Sequence, residues 1–185
     1  IRDRSPSRGL VDVYKRQEHD PLTGCLNRRT WHEQLDAAIA AGEADHTVAV
    51  AICDIDLFKK VNDTYGHQCG DEAIKHVVDI IGYGLDELGC LGRLGGEEFG
   101  IFITIPDVSQ QSTAALAQAD SNFENIRQTL EKSPLQWNEH VLNLTISTGV
   151  SLYRDGEKVE ETLSRADAGV YQAKEGGRNK VVVVS

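Results

Sequence analysis

Two clusters of carboxylates lie where the chain turns. Glu97 and Glu98 follow Gly95-Gly96 in the stretch GRLGGEEFGIF, Gly92 to Phe102. Asp54 and Asp56 end the apolar run TVAVAICDID. Glycine and glutamate are ordinary surface-turn residues, so the first cluster alone reads as a solvated hairpin. The second cluster shifts that reading, because a carboxylate leaving a buried strand is costly unless it pairs or binds a metal. If strand and hairpin are neighbours, Asp54, Glu97 and Glu98 converge, and a hard divalent cation relieves the crowding of like charge. Few carboxylates, with positions left open for water and phosphate oxygens, are the donor set that Mg²⁺ takes.

Other polar residues have two readings each. Asn62 suits an Asx turn, and Asp71 suits a helix N-cap or first turn. Lys174 precedes Gly176-Gly177 near a helix end, where it complements the dipole, and Arg178 can bond the last carbonyls. The same two cations are the local patch that a phosphate needs on an acidic protein. His67 can cap or pack and is assigned no chemistry.

The elements that must position these residues follow from apolar spacing. A helix is predicted from about Asn27 to Ala41, then a strand in which Val48, Val50, Ile52 and Asp54 share one face. KKVNDTYGHQCGD reads as a polar turn. Ile74, Val77, Val78 and Ile81 then mark a second helix with Asp71 at its start. Leu91 to Leu94 and Glu97 to Ile105 pair as a β-hairpin across Gly95-Gly96, with both glutamates at the tip. Leu116, Ala119, Phe123, Ile126 and Leu130 mark a third helix. VLNLTISTGVSLY is a long strand, Leu163, Ala166, Val170 and Ala173 mark a fourth helix, and KVVVV is a last strand. The pattern is α/β of the α+β type, a mainly antiparallel central sheet covered by helices.

Composition narrows the partners. The chain has 185 residues, 40% of them hydrophobic, enough for one domain with a core. A net charge of -10 argues against nucleic acid or an anionic membrane as partner, since their phosphates repel most of this surface. Cys25, Cys53, Cys69 and Cys90 form no CxxC pair, which points to reduced thiols in a reducing, cytoplasmic compartment. No apolar run approaches the roughly 20 residues of a membrane span. Residues 1–17, IRDRSPSRGLVDVYKRQ, are basic, and DVYKRQ reads as the translation of a transposon end used in sequencing libraries. They are expected to be a non-native tail, leaving a domain at 18–185.

Taken in order, DPLTGCLNRR, DIDLFKKVNDTYGHQCGD, RLGGEEF, STG and RADAGVYQAKEGGRN resemble the motifs of the diguanylate cyclase family, the GGDEF domains. The match runs from about Asp20 to Val183. The resemblance implies a fold like that of nucleotide cyclases and polymerase palms, and an enzyme condensing two GTP into cyclic di-GMP with release of pyrophosphate. It implies Mg²⁺ or Mn²⁺ held by Asp54, the Ile55 carbonyl, Glu97 and Glu98, with Glu98 as a second catalytic carboxylate. By the same resemblance Asn62 and Asp71 bond the guanine edge, Lys174 and Arg178 contact the triphosphate, and the backbone at Phe58 and Lys59 turns beneath it. One GTP per domain implies a two-fold homodimer, normally assembled by an upstream sensor or receiver domain.

Departures matter as well. Many relatives carry an inhibitory Arg-x-x-Asp whose window here is DELG, Asp86 to Gly89, with neither residue present, so feedback through that primary site is not expected. Cys25 stands where the family more often has Leu. The rival readings are a GTP-sensing or interaction module without useful turnover, and the cyclase part of a larger hybrid with a phosphodiesterase domain.

Overall fold

The computed structural model describes residues 18–41, 46–85, 89–106 and 113–185. The expected tail at 1–17, and Asp86, Glu87 and Leu88 of the DELG window, lie outside the described residues. Gly89 opens a strand.

In chain order the elements are β1 (Leu26–Asn27), α1 (Arg28–Ala41), β2 (His46–Ile55), α2 (Phe58–Tyr65), α3 (His67–Leu85), β3 (Gly89–Gly95), β4 (Glu98–Pro106), α4 (Thr113–Glu131), β5 (Leu135–Trp137), β6 (His140–Leu142), β7 (Ile146–Leu152), α5 (Val159–Glu175) and β8 (Lys180–Val184). Six strands form one sheet in the order β1-β3-β4-β2-β7-β8, and β5 and β6 pair apart from it. The three inner pairings are antiparallel and the two outer ones, β1 with β3 and β7 with β8, are parallel. The sheet is therefore mixed, with the expected antiparallel character confined to its centre. Helix α5 supplies the crossover that a parallel β7–β8 pair requires.

Strand β2 lies between β4 and β7, and helices cover both its faces. Ala49, Ala51, Cys53 and Ile55 pack with Ile74, Val77 and Ile81 of α3 and with Phe123 and Ile126 of α4. Val48 and Val50 pack with Trp31 and Leu35 of α1, and Ile52 with Ala166 and Val170 of α5. Burial on both sides explains the continuous apolar run. By the strand's period of two, Asp54 extends the row that faces α5.

Three predicted elements differ. The supposed polar turn is the helix α2, followed directly by α3, so Asp71 sits inside α3 rather than at its start. Phe58, Val61 and Tyr65 do recur at helical spacing, but over a helix of eight residues, shorter than the window that a periodicity needs to announce a helix. The long strand at 141–153 divides: β6 folds back on β5, and the sheet strand begins at Ile146. The hairpin turn shifts by one residue, because an irregularity between Arg93 and Gly95 sets Gly95 opposite Glu98. The turn residues are thus Gly96, at φ 48°, and Glu97.

Candidate functional site

The carboxylates meet through register. Asp54 and Glu98 are direct partners across the β2–β4 ladder, and the Ile55 N–H donates to the Glu97 carbonyl at 3.2 Å. Directly opposed residues of an antiparallel pair project from the same face with Cβ atoms about 5 Å apart. Strand and hairpin are neighbours, which brings Asp54 and Glu98 together, while Glu97 lies in the adjoining turn and the expected convergence of all three side chains into one cluster is not seen among the described residues. Burial pushes the Asp54 carboxyl up, Lys174 pulls it down, and the charges of Glu97 and Asp56 push it up again, leaving it above its ordinary value. Glu98 is raised in the same way, by loss of water first and then by Asp167 and Asp54, against Arg28 and Lys174.

Lys174 reaches this pair from the last turn of α5. Its Nζ lies 2.8 Å from Asp54 Oδ2. The approach depends on Gly149 and Gly169: a Cβ on Gly149 would run into the Ala166 carbonyl and the α5 backbone, and one on Gly169 would sit 2.7 Å from the Gly149 Cα. Only glycine lets β7 and α5 touch this closely, which gives the STG stretch its structural meaning. Beyond α5, Gly177, Arg178 and Asn179 all hold positive φ, at 106°, 67° and 49°. The Arg178 N–H donates to Ala173 O at 2.9 Å, closing the helix, and its side chain is exposed.

Asn62 reaches α3 at Gly70, the residue before Asp71. A Cβ on Gly70 would collide with Asn62 Oδ1, so Asn62 lies against α3 where that helix has no side chain, one residue from Asp71. Asp71 is exposed. Phe58 is buried below, also 3.2 Å from that Gly70 Cβ position. Lys59 is exposed, and the chain enters α2 through Leu57 in the left-handed region at φ 55°.

Sequence reasoning missed the residues that hold this arrangement. Arg93 donates from Nε and Nη2 to the Gly96 carbonyl, at 2.9 and 2.8 Å, and from Nη1 to Asp20 at 3.1 Å. Asp20 also accepts from the Thr23 N–H and hydroxyl, so the DPLTG turn and the signature turn share one clamp. The visible signal was Asp-x-x-Thr, an Asx-type turn pattern. Asp56, noted in the sequence only as the neighbour of Asp54, is a buried carboxylate bonded to β7 and to the α5–β8 turn. Nothing local in the sequence marks those partners.

Among the described residues no three His, Cys, Asp or Glu side chains converge to hold a metal ion. Mg²⁺ asks for less, one or two carboxylates with the remaining positions left to water and phosphate. Asp54 and Glu98, opposed in register and both raised by burial, fit that demand. A cleft of about 300 Å³ opens beside Glu98, walled by Arg28, Leu94, Leu163 and Asp167.

The sequence profile of the family described as "Diguanylate cyclase, GGDEF domain" matches residues 17–180. The chain belongs to that family. This GGDEF domain is 40% identical over 167 residues to the probable diguanylate cyclase DgcT of Escherichia coli, covering 89% of this chain and 35% of that protein. It is 41% identical over 167 residues to the response regulator PleD of Caulobacter vibrioides, covering 88% of this chain and 35% of PleD. The chain thus spans about a third of the length of these relatives. Among solved structures, it resembles the coiled coil and GGDEF domain of DgcB from Caulobacter crescentus in complex with c-di-GMP. That likeness has a TM-score of 0.83 at 31% identity and covers 96% of this chain and 91% of that one.

Proposed function

We propose that this GGDEF domain is a diguanylate cyclase that joins two GTP molecules into cyclic di-GMP across a two-fold dimer. The observation that carries the reading is Asp54 and Glu98 opposed in register with Lys174 on Asp54. Asn62 accepts from and donates to the guanine edge, and Asp71 accepts from its N1–H and N2–H. Adenine leaves those groups mismatched, so GTP is preferred. The backbone at Phe58 and Lys59 and the side chains of Lys174 and Arg178 take the triphosphate. Asp54, the Ile55 carbonyl, Glu97 and Glu98 would hold Mg²⁺ or Mn²⁺, which would supply charge neutralisation on the triphosphate.

In each half-reaction the 3′-oxygen of one GTP bonds to the α-phosphorus of the other, the bond from that phosphorus to the β-phosphate bridge breaks, and pyrophosphate leaves. On this reading Glu98 draws the hydroxyl proton. Most of the acceleration comes from positioning and fixed charge. Each domain holds one GTP, so the second must arrive on a partner domain. An upstream sensor or receiver module is the natural means of pairing two domains, in a protein longer than this chain. The acidic charge and the four free cysteines, Cys25, Cys53, Cys69 and Cys90, support a domain that works in the cytosol without nucleic-acid or lipid partners.

The test incubates residues 18–185 with GTP and Mg²⁺ and looks for cyclic di-GMP and pyrophosphate, beside Glu98→Ala and Asp54→Asn. Product from the wild type, lost in both variants, supports the reading. GTP binding with no product at any protein concentration replaces it with a regulatory GTP-holding module. Because DELG lacks the inhibitory Arg-x-x-Asp, turnover is also expected to continue as product accumulates. Tight retention of cyclic di-GMP by calorimetry would contradict that.

A further inference from the structure

We propose that Asp56 is the positioning residue of the triphosphate site, fastening the α5–β8 turn that carries Arg178 to the β2–α2 turn that leads into Phe58 and Lys59 at the start of α2. The proposal rests on the GTP reading above, and its geometry comes from four bonds. Asp56 Oδ1 accepts from the Ser147 hydroxyl at 2.7 Å. Oδ2 accepts from the Thr145 hydroxyl at 2.7 Å and from the Asn179 backbone N–H at 3.0 Å. The Asp56 N–H donates to Thr145 O at 2.9 Å.

These partners belong to separate parts of the fold, yet they meet on one side chain that is 7% exposed. A buried carboxylate is costly unless its lone pairs are satisfied, and here three donors satisfy it. The carboxylate is therefore committed to the fold and unavailable as a ligand, although DID places it two residues from Asp54.

What it holds is a strained turn. Gly177, Arg178 and Asn179 are in the left-handed region, which arginine enters only when its surroundings impose it. Asn179 is pinned on both sides: its N–H to Asp56, its Oδ1 to Arg127 at 2.7 Å and its Nδ2 to Glu131 at 2.8 Å. Arg178 lies between this pin and the end of α5. Cutting the Asp56 bond frees the turn on its β2 side while the α4 side remains. The Asn62 and Asp71 pair stands apart, set by the packing of α2 on α3 at Gly70 and Phe58. Loss of Asp56 should therefore separate the two ends of the nucleotide.

The experiment measures GTP and guanosine affinity by calorimetry with Mg²⁺ in wild type, Asp56→Ala and Asp56→Asn, together with amide hydrogen exchange at residues 176–180 without nucleotide. Asp56→Ala is expected to lose at least about 10-fold in GTP affinity, to keep guanosine within about 2-fold, and to exchange faster at the turn. Asparagine can offer its carbonyl oxygen to Thr145 and Asn179 and its NH₂ to the Ser147 hydroxyl, so Asp56→Asn should recover most of the GTP affinity. If the alanine variant does not fold, Thr145→Val, which removes one donor, should show the same selective loss at about 3-fold. Equal losses for GTP and guanosine, or unchanged GTP affinity in folded protein, overturn the proposal. A wild type that binds no GTP refutes the cyclase reading instead, and unchanged exchange at the turn then refutes the fastening on its own.

Discussion

Lys174 Nζ sits 2.8 Å from Asp54 Oδ2, so the cation expected to meet a triphosphate rests on the carboxylate expected to meet a metal. On the proposed reading the two roles would compete when no nucleotide is bound and cooperate when one is, because a triphosphate would draw the ammonium off while a metal would take its place. Lys174→Ala should therefore act in opposite directions. Mn²⁺ affinity without nucleotide rises about 3-fold as a competing charge is removed. GTP affinity falls about 10-fold or more, the worth of a hydrogen bond to a charged group. Calorimetry with each ligand checks both, and a loss of both affinities would show that Lys174 does not guard Asp54.

The clamp at Arg93 predicts a different signature. Arg93 and Asp20 are each mostly shielded, with side chains 16% and 18% exposed, and Arg93 holds the Gly96 carbonyl on the turn that carries Glu97. Asp20→Asn weakens the ion pair and leaves Asn62 and Asp71, the residues proposed to meet guanine, untouched. The expected outcome is a kcat reduced about 10-fold, a GTP KM changed by less than about 3-fold, and a stability loss of about 1–2 kcal/mol. Steady-state rates and urea midpoints decide it. A KM effect without a kcat effect would mean that the DPLTG turn serves binding instead.

The carboxylates, the glycine turn and most helices were legible because each leaves a local mark: period, turn residue or charge at a strand end. Asp54 extends the row of Val48, Val50 and Ile52, and that row alone announces its face. Helix α2 was not legible, since Phe58, Val61 and Tyr65 repeat at helical spacing over only eight residues that also hold the turn formers Asn62 and Asp63; packing on α3 and the left-handed entry at Leu57 hold it. The one-residue shift of the hairpin depends on a bulge that spacing does not show. Asp56 was seen as half of an acidic pair, but its meaning lies in Thr145, Ser147 and Asn179, distant in sequence and near only in the folded chain.

Acid should loosen the α5 end of the domain in a way that can be traced to one residue. Burial pushes the Glu157 carboxyl up, but hydrogen bonds from Arg165, Thr162 and the Arg154 N–H outweigh it and bring it from an ordinary 4.5 down to about 2. A carboxyl lowered on folding stabilises the fold above pH ~4.5, and that contribution fades as pH falls toward 2. Allowing for solvent screening, about 2 kcal/mol is at stake. Glu157→Gln should be less stable than wild type at pH 7, and the gap should narrow steadily below pH ~4.5. Urea unfolding from pH 7 to pH 3.5 measures it, and a constant gap would exclude Glu157 as the titrating group.

Gly70 offers the sharpest separation of stability from recognition. It lies inside α3, where alanine in place of glycine ordinarily adds up to about 1 kcal/mol of helix stability. Here the added Cβ would collide with Asn62 Oδ1, a side-chain atom at the end of one short rotatable group. Asn62 can swing away and the Phe58 ring, 3.2 Å from that Cβ, need give only a few tenths of an ångström, so the fold is expected to survive, but the amide would leave the position proposed to meet the guanine edge. Gly70→Ala should therefore melt within a few degrees of wild type while GTP affinity falls about 10-fold and the preference for GTP over ATP shrinks. A second substitution, Asn62→Ala, should add little to Gly70→Ala, because both remove the same amide from the same edge. Binding of GTP and ATP to the single and double variants decides the point: full additivity would mean that Gly70 serves some contact other than Asn62.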